Sequence, residues 1–352
     1  MPVIEAGVLR EWVRSMFVAS GVPEADAGAV AEHLVESNLK GHDSHGVVRT
    51  PSYLDGVREG RTNPGADFVI ERQSETTALV NGNWNFGQVV ARQTMALAVE
   101  KAQRMGVGIA VAYQATHVGR LGAYVEQTAA AGLLGIAMAN NHGASHLVAP
   151  FGGRKPRLST NPMAFGFPTG DPAAPFVLDM ATSVAAEGKL RVARNKGAKV
   201  PDGWLLDAEG SPTNDPADLY GPPWGAILPL GGAAGHKGFG LSMVVEALAG
   251  ALSPAGVSRP DPSRGGNGLF TMAVDPQRFG GLDAFAGWMD TLIDWVKQPP
   301  YQDGADGILT AGEPERRSQA EREAHGIPID DATWQQLVEA SALVGVEVPR
   351  SR

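Results

Sequence analysis

Cysteine is absent from all 352 residues. That excludes disulfides, thiolate nucleophiles and cysteine-bound metals, and it fits a reducing compartment. No stretch reaches the roughly 18 consecutive apolar residues that read as a bilayer span, and the opening Met-Pro-Val-Ile-Glu lacks the basic and apolar regions of a secretion signal. A cytoplasmic protein away from the membrane is expected. Positive charge is short too: 29 lysines and arginines stand against 38 aspartates and glutamates, a net charge of -9. This is the wrong sign for a partner recognised through its phosphates, so nucleic acid is not expected. Also missing is a Gly-x-Gly-x-x-Gly after a strand; the nearest stretch, Gly106-Val-Gly108-Ile-Ala-Val111, lacks the third glycine and precedes a strand.

What is present concentrates in residues 41 to 54, Gly-His-Asp-Ser-His-Gly-Val-Val-Arg-Thr-Pro-Ser-Tyr-Leu. Gly41, Gly46 and Pro51 break periodic structure and leave the side chains between them free to present chemistry. His45 can pass a proton near neutral pH, and Arg49 carries a planar fork of donors that matches a carboxylate. The pair suits a small acidic substrate. Thr50 and Pro51 read as N-cap and first residue of a short helix to Glu59, with Tyr53 on its first turn facing back toward the loop. Two structural alternatives stay open: Arg49 pairs only with Asp43 or Asp55, and His42, Asp43 and His45 bind a metal. Against the second, there is no His-Glu-x-x-His helix and no nearby second carboxylate cluster, so no metal is expected.

In chain order, Val8, Leu9, Trp12, Val13, Met16 and Phe17 recur at helical spacing up to Gly21, and Pro23 starts a second helix toward Leu39. Strands are predicted at 67–72, 77–81, 107–113, 133–140 and 269–274, and helices at 87–105, 123–131, 184–196 and 237–252. Helix 282–297 is amphipathic, with Phe285, Trp288, Leu292 and Trp295 expected to face inward. Residues 201–235 and 253–268, rich in Gly, Pro and Asp without a period, read as surface loops near a cleft. Helices at 314–324 and 332–343 match the first two in character. The two chain ends are therefore expected to form one helical domain, 1–75 with 300–352, around an inserted α/β domain, 76–299.

Three glycine-rich loops remain: Thr116 to Gly122, Phe151 to Gly153, and Gly231 to Gly240. The first and third lead into predicted helices, where free N–H groups and the helix dipole can hold phosphate. The third carries Lys237 but is no Walker A loop, since His236 stands where that pattern needs glycine and Gly238 where it needs Ser or Thr. Together these loops make a dinucleotide credible.

At this point the chain resembles the malate/L-lactate dehydrogenase-like oxidoreductases, a family that includes ureidoglycolate, sulfolactate and diketogulonate enzymes and piperideine/pyrroline-2-carboxylate reductase. Nine blocks carry the resemblance in family order: Asp43 to Gly46 with Arg49 and Tyr53, Thr116 to Gly119, Pro150 to Gly153, Thr160 to Pro162, Asp179 to Ser183, Gly188 with Lys189, Pro201 to Trp204, His236 to Gly238, and Ala311 to Pro314. The resemblance implies an α/β (α+β) fold, with a non-Rossmann domain whose mostly antiparallel sheet binds NAD(H) or NADP(H) and a helical domain from both ends. It implies His45 as acid/base assisted by Ser44, with His117 competing for that role. It places Arg49, Tyr53, Thr160 and Lys189 on the substrate. The cofactor would lie along His117, Val118, Gly119, Arg120, Leu121, Asn141, Asp179, Met180, Ala181, Lys237, Gly312, Glu313 and Pro314. Cyclic-imine reductases carry a relay aspartate where Lys189 stands here, which favours an open-chain 2-hydroxy or 2-oxo acid. The resemblance also implies a homodimer whose partner subunit helps close the cleft. A silent binding protein of the same fold would be suggested by a missing histidine or arginine, and none is missing.

Overall fold

The computed structural model describes residues 1–142, 146–195, 197–260 and 264–351. The chain opens with a two-residue strand, β1 (Val3–Ile4), and three helices, α1 (Ala6–Ala19), α2 (Glu24–Leu39) and α3 (Thr50–Arg58). Glu5 caps α1, its carboxylate accepting from the Gly7 and Val8 N–H groups at 2.9 Å each. Leu9, Trp12, Val13, Met16 and Phe17 then fall on one buried stripe. The middle of the chain holds β2 (Val69–Gln73), β3 (Thr77–Asn81), α4 (Gly87–Met105), β4 (Val107–Ala115), α5 (Gly122–Ala130), β5 (Leu134–His142), β6 (Met163–Phe167) and β7 (Phe176–Met180). After α6 (Glu187–Asn195) come three two-residue strands, β8 (Leu205–Leu206), β9 (Pro212–Thr213) and β10 (Ala226–Ile227). Then follow α7 (His236–Val245), β11 (Gly266–Val274) and α8 (Leu282–Val296). The chain closes with α9 (Glu313–His325), β12 (Ile327–Pro328) and α10 (Asp331–Leu343).

Seven strands form one sheet in the order β2-β3-β4-β11-β5-β6-β7, with β3 and β4 parallel and every other neighbouring pair antiparallel. Its faces differ in side-chain size. Toward α4 and α5 it presents Ala110, Ala112, Ala137, Ala139 and Ala273, and toward the other side Val111, Met138, Met163 and Phe270. The small face lets helices approach closely: a Cβ at Gly108 would run into the backbone of Ala98 on α4, and one at Gly166 into Val125 on α5. Both faces are covered, so the strands read as nearly continuous apolar runs although the sheet is mostly antiparallel.

The two chain ends share one core, in which Leu9, Trp12, Phe17, Leu34 and Val47 pack with Ile327 and Leu337, and also with Phe86 and Val89 at the start of α4. β1 pairs antiparallel with β12, and the Trp12 indole donates to Ser341 Oγ at 2.8 Å.

Five expectations need correction. The α8 stripe does not face inward: Trp288 is 74 % exposed, Leu292 53 % and Trp295 75 %. Spacing reports an apolar face but not what covers it. Residues 201–235 are not plain loop; Leu205, Leu219 and Ile227 join a small buried cluster with Val148 and Leu190, built on strands too short to leave a period in the sequence. Thr50 does not cap α3. The preceding turn, Val47–Arg49, is already helical, so Arg49 holds the cap position with φ -83° and ψ -16° and the Thr50 hydroxyl is buried without a partner. The helix expected over 237–252 is α-helical only to Val245 and continues as a π-helix, Glu246–Ala251. There the buried Glu246 carboxylate accepts from Asn140, Asn161 and Ser258, four bonds of 2.6 to 3.1 Å that satisfy it without a cation. The helix expected over 184–196 begins at Glu187; Lys196, and residues 261–263 of the expected loop 253–268, lie outside the described residues. Among the described residues no helix is long and apolar enough to cross a membrane, and no group of three or more His, Asp or Glu could hold a metal.

Candidate active site

Residues 43 to 49 form two short 3-10 turns, Asp43–His45 and Val47–Arg49, pinned from both chain ends. Asn38 on α2 donates to Asp43 Oδ1 at 2.6 Å and accepts from the Val47 N–H at 2.8 Å. Gly46 lies against that amide, and any Cβ there would collide with it. Arg322 on α9 grips both Asp43 oxygens at 2.6 and 3.0 Å, and His42 meets Glu315 at 3.2 Å. His42 and Asp43 are thus occupied in holding the loop. On its other side, Ser44 packs so tightly on Gly188 of α6 that a Cβ at 188 would overlap it.

The pinned loop presents His45 to a second histidine. Ser44 Oγ lies 3.0 Å from His45 Nδ1, and the His45 ring stacks on His117 with centroids 5.6 Å apart and an interplanar angle of 24°. His117 comes from the connection between β4 and α5. That connection is fixed by packing: Gly119 adopts φ +76° with no room for a Cβ beside His33, His33 Nε2 accepts from the Arg120 N–H at 3.0 Å, and Asn267 accepts from the Val118 N–H at 2.9 Å. Tyr53 on α3 reaches this second loop, its hydroxyl 2.6 Å from His117 Nδ1. Arg49 donates through Nε to the Ser44 carbonyl at 2.7 Å, and its nearest acid is Glu187, 3.9 Å away. The pairing with Asp43 or Asp55 does not occur, because Arg322 takes Asp43 and Arg58 takes Asp55 at 2.7 Å. The guanidinium therefore keeps donors for an incoming acid.

Burial, then the charge of Arg49, lowers the His45 pKa from 6.5 to about 3, and the same two causes hold His117 well below its ordinary value. Burial lifts Tyr53 to about 12, so its hydroxyl keeps its proton. Both histidines are half-buried, with an accessible edge, and neutral at pH 7 before any substrate arrives. An anion beside Arg49 would offset part of the field that discharges them.

The other sequence candidates fall in three places. Val118 and Leu121 put their side chains into the core, which leaves only their backbone for a ligand. Arg120 is buried, its guanidinium held by Glu126 at 2.8 Å and Glu36 at 3.3 Å, so its side chain ties α5 to α2. Asp179, raised by burial, accepts from the Gly122 N–H at the start of α5 at 2.7 Å, while Met180 and Ala181 follow it at the sheet edge. Thr160 offers its carbonyl to Thr182 and half-buries its side chain, and Asn141 pairs with Asn267 between β5 and β11. Lys237 is exposed in the first turn of α7, which rests on Leu230; Leu230 in turn donates to the Thr182 carbonyl at 3.0 Å. Gly312, at φ +92°, packs on Pro175 and Val177, and Glu313 pairs with Lys297 at 2.5 Å, with the exposed Pro314 beside it. Lys189, exposed, follows the Gly188 that supports Ser44. The geometry gathers His45, Ser44, Arg49, Tyr53 and His117; no described contact brings Lys237 or Gly312 to Pro314 onto that cluster. Gln88, Asn38, His33 and Arg322 were missed. None sits in a loop or a motif, and what marks them is burial or a partner from a distant segment.

A malate/L-lactate dehydrogenase family profile matches residues 4–338. Hydroxycarboxylate dehydrogenase B from Escherichia coli O157:H7 is 37% identical over 347 residues, 97% of this chain and 94% of the relative. The structure of malate dehydrogenase from Pyrococcus horikoshii OT3 superposes with a TM-score of 0.88 at 34% identity, covering 98% of this chain and 96% of that one. A delta1-piperideine-2-carboxylate reductase from Pseudomonas syringae superposes at 0.83 with 30% identity, covering 97% and 100%. The fold and the family are those of an oxidoreductase acting on CH–OH. The chain belongs to the malate/L-lactate dehydrogenase family, whose chemistry calls for a nicotinamide cofactor.

Proposed function

We propose that this protein moves hydride reversibly between NAD(H) or NADP(H) and a small 2-hydroxy or 2-oxo acid such as malate or lactate, working as a cytoplasmic homodimer. In this reading residues 1–75 with 300–352 carry the His45 loop and 76–299 hold the cofactor. One observation carries the reading: Arg49, with no acid nearer than 3.9 Å, stands beside two neutral histidines whose rings stack.

The donor set fits a dinucleotide. Lys237 has an exposed ammonium at the positive end of α7, where anionic oxygens are favoured, and the backbone from His117 to Leu121 opens α5. Asn141, Asp179, Met180, Ala181, Gly312, Glu313 and Pro314 would complete the cradle. A bound nicotinamide supplies or accepts the hydride. This chain's part is to hold the acid and to manage the proton. Arg49 would grip the substrate carboxylate through two parallel bonds, and Thr160 and Lys189 would border it. Pairing with that carboxylate offsets the Arg49 part of the field on His45 and so favours its protonated form, from which the ring would deliver a proton to the oxygen that gains charge. Ser44, at Nδ1, orients the ring.

Nicotinamide fluorescence titrations with NADH and NADPH, followed by a panel of 2-oxo acids and cyclic imines, test the reading. Turnover of an open-chain 2-oxo acid supports it; turnover of cyclic imines alone would replace it. Lys189 argues for the first outcome, since no acid stands there to relay a proton to an imine.

A further inference from the structure

Gln88 is the second residue of α4 and only 2 % exposed. Its Nε2 donates to the Tyr53 hydroxyl at 2.8 Å, and that hydroxyl lies 2.6 Å from His117 Nδ1. Gln88 Oε1 is buried without a partner. The amide thus faces the tyrosine as a donor and leaves its own acceptor unmet. Direction then propagates along the chain of bonds. A phenol has one proton to give, and Tyr53, already accepting from Gln88, turns that proton to His117. Nδ1 is therefore the acceptor. A neutral imidazole that accepts at one nitrogen carries its proton on the other.

We infer that Gln88 is a positioning residue that, through Tyr53, holds His117 in the Nε2–H tautomer, so that His117 meets the substrate oxygen as a neutral hydrogen-bond donor and leaves the proton to His45. The donor role rests on the reading of the site given above; the tautomer does not. Burial and Arg49 lower both histidines alike, so the division rests on the bonds: Tyr53 and Gln88 fix the tautomer of His117 alone, and a neutral ring so held can polarise a carbonyl through its N–H. The opposite chain has His117 Nδ1–H donating to Tyr53 and Tyr53 donating to a reversed Gln88. An ionised glutamate at 88 can only accept, so Gln88→Glu should force that reversal.

The test is long-range proton–nitrogen NMR on ligand-free protein labelled with 15N-histidine, with His117 assigned from the peak lost in His117→Ala. Wild type should show a bare Nδ1 and a protonated Nε2, and Gln88→Glu the reverse. In Gln88→Glu, kcat should also fall about a hundredfold, the scale for a lost donor at a developing oxyanion, with nicotinamide Kd unchanged. A wild-type Nδ1 that carries the proton overturns the inference without need of any variant. A Gln88→Glu spectrum identical to wild type at alkaline pH, where the buried carboxyl is ionised, overturns it as well. If the tautomers come out as stated but His117→Ala turns over normally, the donor role falls, along with the place of His117 in the site.

Discussion

His45 and His117 reach the same 5.6 Å stack from loops held by different forces. The His45 loop is tied mainly by side-chain hydrogen bonds: Asn38, close by on α2, takes Asp43 and Val47, and Arg322, from the other end of the chain, takes Asp43 again. The His117 loop is tied by contact distance. Gly119 has no room for a side chain beside His33, and Gly87 of α4 presses on the backbone of Thr116 and His117. The first arrangement adds a charged pair to its packing at Gly46; the second rests on glycine contacts with neutral hydrogen bonds from His33 and Asn267 beside them. On the proposed reading, the proton carrier sits on the loop with the charged tie, and the fixed donor sits on the loop packed by glycines.

Alanine at each histidine gives the sharpest break in this contrast. His45→Ala should lower kcat by about a hundredfold or more with nicotinamide binding nearly unchanged, the usual size for a lost general acid. Near-normal turnover there, with an inactive His117→Ala, would exchange the two roles. Next in size is Arg49→Lys, which keeps the charge and removes the fork. KM for the acid should rise and kcat fall, together about tenfold or more in kcat/KM, because a carboxylate that pivots misplaces the reacting carbon. Comparing an acid with its neutral amide on both enzymes isolates the clamp, and an acid-to-amide preference unchanged by the substitution would remove Arg49 from substrate binding.

A smaller effect should appear in stability against pH. His33, His45 and His117 all have folded pKa values lowered from 6.5, the first two to about 3. The unfolded chain therefore binds protons that the folded chain refuses. Stability from these groups is complete above pH 6.5 and is lost as pH falls toward 3, at about 1.4 kcal/mol per pH unit for each histidine. Thermal melts from pH 7 down to 5 should show the decline, and His45→Gln should flatten it; a slope indifferent to that substitution would mean that His45 is already exchanging protons with solvent. Smallest is Arg322→Ala. Its ion pair with Asp43 is half in solvent, so the loss should be about 0.5 to 1 kcal/mol in denaturant unfolding. The reaction should suffer more than the fold, since the freed loop carries His45; a variant that loses stability but keeps kcat would show that Asn38 alone suffices to hold it.

How far the chain could be read without its structure differs by element. α1 and α8 make the point: each repeats large apolar residues at helical spacing, and each was expected to bury them. α1 does so against the C-terminal helix, with Trp12 5.3 Å from Trp334, while Trp288 and Trp295 of α8 stay open. Period identifies a face, but burial needs a partner, and a partner from distant sequence leaves no local trace. The same limit governs the site. Ser44, His45 and Arg49 were legible because glycine and proline mark their loop and the residues lie within six positions of one another. Asn38 and Gln88 were not, since an amide inside a helix looks like any polar surface residue until its burial is known.

Local chemistry by itself determined the helices, the long strands and the residue types able to move a proton and grip a carboxylate, because propensity, capping and periodicity act within a few residues. Only the tertiary structure decided that Asp43 belongs to Arg322 and so cannot occupy Arg49, that Arg120 is spent on Glu36 and Glu126, and that Tyr53 turns to His117 instead of its own loop. Each of those choices is a competition among charges and hydrogen-bond groups far apart in the chain. Such competitions are settled by which groups the packed core brings within about 3 Å of one another, the range over which these bonds form.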